Sequence, residues 1–158
     1  MPVIPPAVTS FISEGRVGRL GTADRSGQPL VVPICYAFDG ESLFSAVDAK
    51  PKTRPPEGLK RIRNIRENAK VSVVIDRYDE DWSHLRYVIL QGEAQLLTDG
   101  PEFSRGVDLL LAKYPQYRAM QLGRDAGLMI RVTPARVTEW RFDSPARARE
   151  PVGPGDAH

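Results

Sequence analysis

The amino-acid sequence predicts a mostly β fold: a closed or partly closed barrel of about six to seven antiparallel strands with a few helices. Two observations support this fold class. Short runs with strand character are separated by tight-turn pairs such as Ser26-Gly27 and Asp39-Gly40, and few segments have helical spacing. Short consecutive strands joined by tight turns pair antiparallel. Closing such a sheet into a barrel would remove its exposed edges.

The first part of the chain is predicted to form a helix and three strands. Residues 5–15 have apolar side chains at helical spacing, with prolines at the start and a glycine as the stop. A hairpin follows, and its second strand, at 29–40, is apolar on both faces, which favours a central strand covered on both sides. The third strand ends at Val47. The residues predicted on the buried helix face are Val8, Phe11 and Ile12.

The second part of the chain mixes helices and strands after a proline-rich segment at 48–58. Residues 85–97 alternate between apolar and polar positions, which predicts a long antiparallel strand. The other predicted elements are a basic helix at 59–68, a strand at 70–76, a helix from Asp99 to Tyr114, and two strands within 127–142 that are broken at Pro134.

Composition indicates one domain without disulfides or a metal site. The chain has 158 residues, enough for one core, so we expect a domain at 1–143 and a disordered tail at 144–158. The single cysteine, Cys35, excludes an internal disulfide, and two histidines leave no set of zinc ligands. No apolar run approaches a membrane span and no signal-peptide pattern is present, so we expect a cytoplasmic protein without a membrane partner.

Basic side chains are concentrated in one segment, although the formal net charge is only +2. From Lys50 to Arg66 there are seven Lys or Arg residues and one acid. They form either a solvated helix face or an anion site. Lys60 and Arg61 lie in the first turn of the predicted helix, where cations are unfavourable unless an anion binds. This segment contains no aromatic residue for base stacking, so no nucleic-acid partner is predicted.

A tryptophan occupies the acidic connection between two predicted strands. Trp82 lies within "RYDEDWSH", and an exposed indole would leave a large apolar area in water. We therefore expect Trp82 to cover its own barrel end, a second subunit or a flat ligand. His84 is a proton donor by its nature, but we assign no catalytic residue.

Taken in order, the motifs resemble those of the pyridoxamine 5′-phosphate oxidase-like split β-barrel proteins of the FMN-binding type. They are "G-x-L-x-T-x-x-x-x-G-x-P" from Gly18, the basic turn and helix, "V-x-x-x-x-D" from Val71, "D-W-S" from Asp81 and "G-x-A" from Gly92. The resemblance covers roughly residues 5–143. Within this family the chain is most similar to coenzyme F420-dependent oxidoreductases.

The resemblance implies a homodimer with two cofactor sites at the subunit interface. Each site would hold coenzyme F420, with FMN as the alternative. The family binds the cofactor phosphate with basic residues in two groups, and the insertion "TRPPEG" separates these groups here, so either one can meet the phosphate. The residues at the matching positions are Lys50, Lys52, Thr53, Lys60 and Arg61.

The resemblance also assigns residues to the cofactor ring. Val32, Pro33, Ile34 and Cys35 would line it and offer backbone groups, while Trp82 and Ser83 would reach over the cofactor from the neighbouring subunit. For Val32 and Ile34 an ordinary core position explains the sequence equally well. Proline removes a backbone donor, so Pro33 indicates a break in a central strand.

These expectations favour an oxidoreductase that transfers a hydride from the bound cofactor to an unsaturated small organic acceptor. In such an enzyme the cofactor carries the chemistry, which fits the lack of an obvious acid–base pair. The alternative is a non-catalytic flavin, deazaflavin or haem carrier on the same fold. Only turnover separates the two.

Overall fold

A single antiparallel sheet forms the centre of the molecule. The computed structural model describes residues 2–47, 58–122 and 127–142. Its seven strands lie in the order β2-β1-β5-β6-β7-β4-β3. They are β1 (Gly18–Ala23), β2 (Pro29–Ile34), β3 (Ala37–Phe38), β4 (Leu43–Val47), β5 (Lys70–Arg77), β6 (Arg86–Leu97) and β7 (Leu128–Arg141). The helices are α1 (Pro6–Glu14), α2 (Lys60–Glu67), α3 (Gly100–Lys113) and the short α4 (Gln116–Ala119). This is the split β-barrel that the sequence predicts, open between β2 and β3.

The β1–β2 hairpin closes as its turn residues predict. Gly27 has a φ of 88°, a conformation that side-chain-bearing residues rarely adopt. The Asp24 carboxylate accepts hydrogen bonds from the backbone and side chain of Ser26 and from the backbone of Gln28. These bonds lower the pKa of Asp24 to about 2, and the bond from the Ser26 hydroxyl contributes most. The turn is therefore fixed by an ionised carboxylate at neutral pH.

The main core lies on the inner face of this sheet. The predicted inward residues of α1 are all buried there, and Leu20, Val73 and Leu90 from three neighbouring strands are fully buried with them. The predicted glycine at the end of α1 is required by packing. A Cβ on Gly15 would lie 2.3 Å from the Tyr36 hydroxyl, which donates to the carbonyl of Ile12.

A second core cluster forms where α3 covers the other side of β4 and β7. Val107 and Leu110 of α3 pack there with Phe44 and Met129, all four buried. Gly106 allows the close approach, because a Cβ at this position would lie 2.8 Å from the Phe44 ring. The helix predicted at 99–114 is therefore confirmed.

Three predictions about the strand at 29–40 are wrong. β2 is an edge strand rather than a central one, and its ladder with β1 is continuous from Pro29 to Ile34. Pro33 marks no break, because an edge strand tolerates the missing donor. The segment 29–40 ends its first strand at Ile34, and β3 starts only at Ala37.

Pro134 likewise does not divide the last strand. β7 runs through it over 14 residues, and the irregularity is a bulge: Gln91 pairs with Arg136 and Gly92 with Pro134, which leaves Ala135 as the extra residue. A Cβ on Gly92 would lie 2.0 Å from the Thr133 carbonyl oxygen, so glycine is required opposite the bulge.

Candidate cofactor site

The first turn of α2 carries a cation that the described part of the chain leaves without a counter-ion. Arg61 is half-buried, and no carboxylate pairs with its guanidinium there. Burial lowers the pKa of Arg61 from its ordinary value. The helix has no side-chain cap at Leu59 and no acid in its first turn. Its free N–H groups and Arg61 together favour an anion.

Lys60, the neighbouring cation, is already partly neutralised. Its Nζ lies 3.5 Å from Asp24 Oδ2, and the side chain is exposed. This ion pair places the start of α2 beside the β1–β2 turn, and the Glu67 carboxylate, which accepts from the Arg25 backbone N–H, fixes the other end of the helix to the same turn. Of the two predicted helix residues, Arg61 is therefore the better candidate for an anion contact.

A buried polar pair lies beneath α2. Asn64 is fully buried and donates through Nδ2 to Thr22 Oγ1 at 3.0 Å, while Asn64 Oδ1 has no partner among the described residues. An unpaired buried carbonyl lowers stability by roughly 1–3 kcal/mol. The Asn64–Thr22 hydrogen bond thus joins α2 to β1, while the unpaired Asn64 Oδ1 lowers stability. Hydrophobic spacing did not predict this contact, because Asn64 is polar.

The predicted ring-lining residues lie along an open sheet edge. β2 has a strand neighbour only on the β1 side of the described sheet, so backbone groups on its other side are free to bond a ligand. Ile34 is buried in the core and Val32 packs against the same core, whereas Pro33 and Cys35 are exposed. The structure therefore separates two core residues from two accessible ones.

A groove of about 620 Å³ crosses the outer face of the sheet beside this edge. Gly21 and Ser72 keep its floor low, since neither projects a bulky side chain. Six of its lining residues, from five strands, are Gly21, Thr22, Val31, Ser72, Gln91 and Arg136. The groove and the free edge of β2 adjoin, because Val31 belongs to both.

The outer face also exposes apolar side chains. Val31 is 64% exposed and Trp140 40% exposed, and Trp140 stacks on Tyr87 with ring centroids 5.4 Å apart. Half-buried Val74 and Ile89 lie on the same face. Exposed apolar side chains grouped on one face are common at protein interfaces.

Trp82 lies in a preformed acidic loop between β5 and β6. It is 60% exposed, so it does not pack into its own barrel end, which removes one of the three interpretations of this residue. Ser83 donates through both its backbone N–H and its hydroxyl to the Asp81 carboxylate. These bonds lower the pKa of Asp81, and the hydroxyl contributes most. His84 Nδ1 lies 3.2 Å from Asp79. The loop presents an exposed indole within a negative surface.

The other predicted phosphate residues, Lys50, Lys52 and Thr53, lie at 48–57, outside the described residues.

Sequence reasoning missed a cationic cluster at the far end of β2. Arg16 donates to the Lys113 carbonyl at 2.9 Å, and Lys113 Nζ donates to the Tyr36 carbonyl at 2.9 Å. The Tyr114 hydroxyl lies 2.9 Å from the Arg16 carbonyl and 3.0 Å from that of Tyr36. No local signal reveals this cluster, because its members are up to 98 positions apart in the chain.

The described residues contain neither a metal-binding cluster nor a membrane-spanning helix. No three His, Cys, Asp or Glu side chains there form a group that could hold a metal ion. None of the helices described is long and apolar enough to cross a bilayer.

The chain matches a known protein family over most of its length. The family model for pyridoxamine 5′-phosphate oxidase matches residues 4–141. The chain belongs to this family. The match runs from α1 to the last residue of β7, so it covers both the sheet edge and the basic helix.

One relative in the pyridoxamine 5′-phosphate oxidase family and two solved structures are similar to the chain. The relative, a 5a,11a-dehydrotetracycline/5a,11a-dehydrooxytetracycline reductase of Streptomyces rimosus, is 26% identical over 144 residues, covering 90% of this chain and 86% of the relative. A conserved hypothetical protein of Mycobacterium tuberculosis superposes with a TM-score of 0.69 at 22% identity, covering 88% of this chain and 86% of that one. An FAD-binding protein of Mesorhizobium loti gives a TM-score of 0.62 at 25% identity, covering 83% and 87%.

Proposed function

We propose that this protein is an oxidoreductase that binds coenzyme F420, or FMN as the alternative, and transfers a hydride to an unsaturated small organic acceptor. The observation that carries the proposal is Arg61, a half-buried cation without a carboxylate partner in the described chain, in the uncapped first turn of α2. Membership of the oxidase family and the likeness to a reductase support a redox role.

The residues present fit such a cofactor. F420 and FMN both carry a phosphate on a polyol chain attached to a planar tricyclic ring. Arg61 and the N–H groups that begin α2 would hold the phosphate, since an arginine and a helix N-terminus both donate hydrogen bonds to anions. We also assign Lys60 to this site, together with Lys50, Lys52 and Thr53 from the neighbouring segment.

The edge strand would hold the ring. Free backbone groups of β2 suit the polar edge of a flavin or deazaflavin, and Pro33 and Cys35 are exposed beside it. Reduced deazaflavins and flavins supply a hydride when bound. The chain would bind and orient the two reactants and exclude water from them, and it would need no acid–base residue of its own.

We further propose that the protein acts as a homodimer through the outer face of the sheet. This face exposes Val31 and Trp140 beside a groove of about 620 Å³. In a twofold dimer the same patch serves both partners. Each acidic loop would then extend to the other protomer, placing Trp82 and Ser83 over the cofactor, and its carboxylates would face the basic side chains of α2.

Titration of the purified protein with F420 and with FMN, followed by absorbance and fluorescence, tests the cofactor assignment. We expect Arg61→Gln to weaken binding of the preferred cofactor about tenfold to a hundredfold, the value of one to two charge-assisted hydrogen bonds. The matched control is Arg66→Gln, because Arg66 is an exposed cation in the last turn of the same helix.

Arg66→Gln should bind within about twofold of the parent. Equal affinities of all three proteins would show that the phosphate lies elsewhere. Binding without any acceleration of hydride transfer to quinone or enone acceptors would identify a carrier rather than an enzyme.

Trp82→Ala tests the proposed dimer. We expect the variant to bind cofactor about threefold to tenfold more weakly or to dissociate at higher concentration, because the exposed indole would lose its contact area in the interface. Analytical ultracentrifugation and the same titration measure both effects. Tyr78→Ala is the control, since Tyr78 is exposed in the same connection. Unchanged sedimentation and affinity would leave Trp82 without a role in assembly.

A further inference from the structure

A second cavity, of about 620 Å³, opens where β2 ends. One wall comes from the segment between α1 and β1 together with Cys35, and the other comes from the end of α3 and from α4. Its lining residues are Arg16, Val17, Cys35, Tyr114, Pro115, Gln116, Tyr117 and Met120. A volume of several hundred cubic ångströms suits a molecule of two or three fused rings.

The surfaces of this cavity are mostly aromatic and apolar. The Tyr114 and Tyr117 rings meet edge to face with centroids 5.6 Å apart. Val17 is 39% and Met120 48% exposed, so apolar surface faces solvent around these rings. Flat aromatic and thioether surfaces pack well against a planar, polarisable ligand.

The charge of the cavity is entirely positive among its described lining residues. Arg16 uses one N–H group on the Lys113 carbonyl, and a guanidinium has five such donors. Lys113 lies just behind the lining, with Nζ 4.0 Å from the centre of the Tyr36 ring. None of the described carboxylates pairs with either cation.

The two cations disfavour each other when nothing else is bound. Burial first, and then repulsion from Arg16, lowers the pKa of Lys113 to about 8, while Cys35 acts in the opposite direction. A negative group in the cavity would offset both contributions.

We propose that this cavity binds the acceptor and that the acceptor is a planar conjugated carbonyl compound with a negative charge, held by Arg16. The proposal rests on the proposed function, because Cys35, which directly follows β2 and is itself assigned to the cofactor ring, also lines the cavity. An acceptor lying on Tyr114 and Tyr117 would thus adjoin the ring.

The reaction balances with what that assignment supplies. The conjugated acceptor takes one hydride from the reduced cofactor and one proton from solvent, so it gains two electrons and two hydrogen atoms. The cofactor would lose the same two electrons and so be oxidised. The carboxylate or enolate that Arg16 holds is unchanged in the transfer.

Isothermal titration with a charged and an uncharged probe of the same shape tests the anion preference. Anthraquinone-2-carboxylate and anthraquinone-2-carboxamide differ only in the substituent. We expect the carboxylate to bind at least tenfold more tightly, and Arg16→Gln to remove that preference while leaving carboxamide affinity within about twofold. The control is Arg118→Gln, because Arg118 is an exposed cation on α4 outside the cavity lining.

Equal affinity for the two probes, or carboxylate binding unaffected by Arg16→Gln, would overturn the proposal. Tyr117→Leu provides a second variant if Arg16→Gln does not fold, as judged by circular dichroism. It should weaken both probes about fivefold through loss of the flat surface, and unchanged binding of both would also contradict the assignment.

A parallel titration separates this inference from the proposed function. Arg16→Gln should bind F420 or FMN within about twofold of the parent, because it is not assigned to the phosphate. Cofactor binding without carboxylate binding would refute the acceptor site alone. Carboxylate binding without cofactor binding would refute the proposed function, and with it the role of this ligand as the acceptor.

Discussion

Arg61 in the first turn of α2 and Lys113 in the last turn of α3 are both partly buried cations without a carboxylate partner among the described residues. They differ in how the unfavourable buried charge can be relieved. Burial lowers the pKa of both Arg61 and Lys113. Lys113 can lose its proton near pH 8, whereas a guanidinium keeps its charge throughout the physiological range. Lys113 also has a carbonyl and two aromatic rings as partners.

The helix ends add to this difference. Lys113 lies at the C-terminal end of α3, where the helix dipole favours a cation, and Arg61 lies at the N-terminal end of α2, where it does not. We therefore expect Lys113 to be a structural cation and Arg61 to be a ligand-binding cation. The comparison shows that position in a helix and the ability to release a proton help to distinguish the two.

The larger expected effect is a pH dependence that Lys113 contributes to stability. In the folded protein its proton is lost near pH 8, whereas the unfolded chain keeps it until about 10.5. Between these values the unfolded state binds more protons, so the free energy of unfolding rises with pH. We expect the parent to gain about 1–2 kcal/mol over Lys113→Met from pH 8 to 10, after allowance for partial exposure.

Urea denaturation of both proteins at several pH values measures this difference. The groups facing Lys113 are Arg16, Cys35, Tyr36 and Tyr114. In the unfolded chain both tyrosines ionise near pH 10, whereas burial raises their pKa in the folded protein. Above pH 10 their ionisation therefore favours the unfolded state, which sets the upper limit of the window. A constant stability difference across the window would show that Lys113 is solvated like a surface lysine.

The smaller expected effect concerns Arg61 in the absence of cofactor. Replacing a half-buried cation that has no carboxylate partner among the described residues removes an unfavourable charge. Arg61→Gln should therefore unfold with the same free energy as the parent or up to about 1 kcal/mol more, and without a pH slope from 8 to 10. Arg63→Gln, an exposed position on the same helix, should change stability by less than about 0.5 kcal/mol. A loss above 1 kcal/mol in Arg61→Gln alone would mean that Arg61 stabilises the fold.

Local patterns predicted most of the fold because they depend on neighbours in the chain. The alternation over residues 85–97 predicted a long strand, and β6 runs from Arg86 to Leu97. Helical spacing likewise identified Val8, Phe11 and Ile12 of α1 as core residues, and all three are buried. The turn at Gly27 followed from the backbone conformation that glycine allows.

The wrong predictions concern features that depend on contacts between segments distant in the chain. β2 is apolar on both faces, and periodicity cannot tell a strand covered by its own sheet from an edge strand whose outer face stays open. Pro134 would end a regular strand, but a bulge accommodates it in β7. The cluster around Arg16 and Lys113 joins segments that only the folded sheet brings together.

The candidate cofactor site was predicted from a charge pattern and a family resemblance. The structure distinguishes exposed Cys35 from buried Ile34, and it distinguishes Arg61, which pairs with no carboxylate among the described residues, from Lys60, which pairs with Asp24. These distinctions depend on burial and on contacts across the sheet, which a charge pattern does not encode. The assignments themselves stay predictions until a cofactor is titrated.

The extra residue at Ala135 has a consequence for how the chain can change in length. Before it, even-numbered residues of β7 such as Val132 point inward, and after it Val137 does, so Trp140 comes to lie against Tyr87 outside. If all of these residues formed a regular strand without the bulge, the two sides of the strand end would be exchanged and the indole would face the core. A chain that lacks the residue at 135 would instead keep the same pairing beyond it, so related chains should tolerate the loss of a single residue here but not elsewhere within the strand.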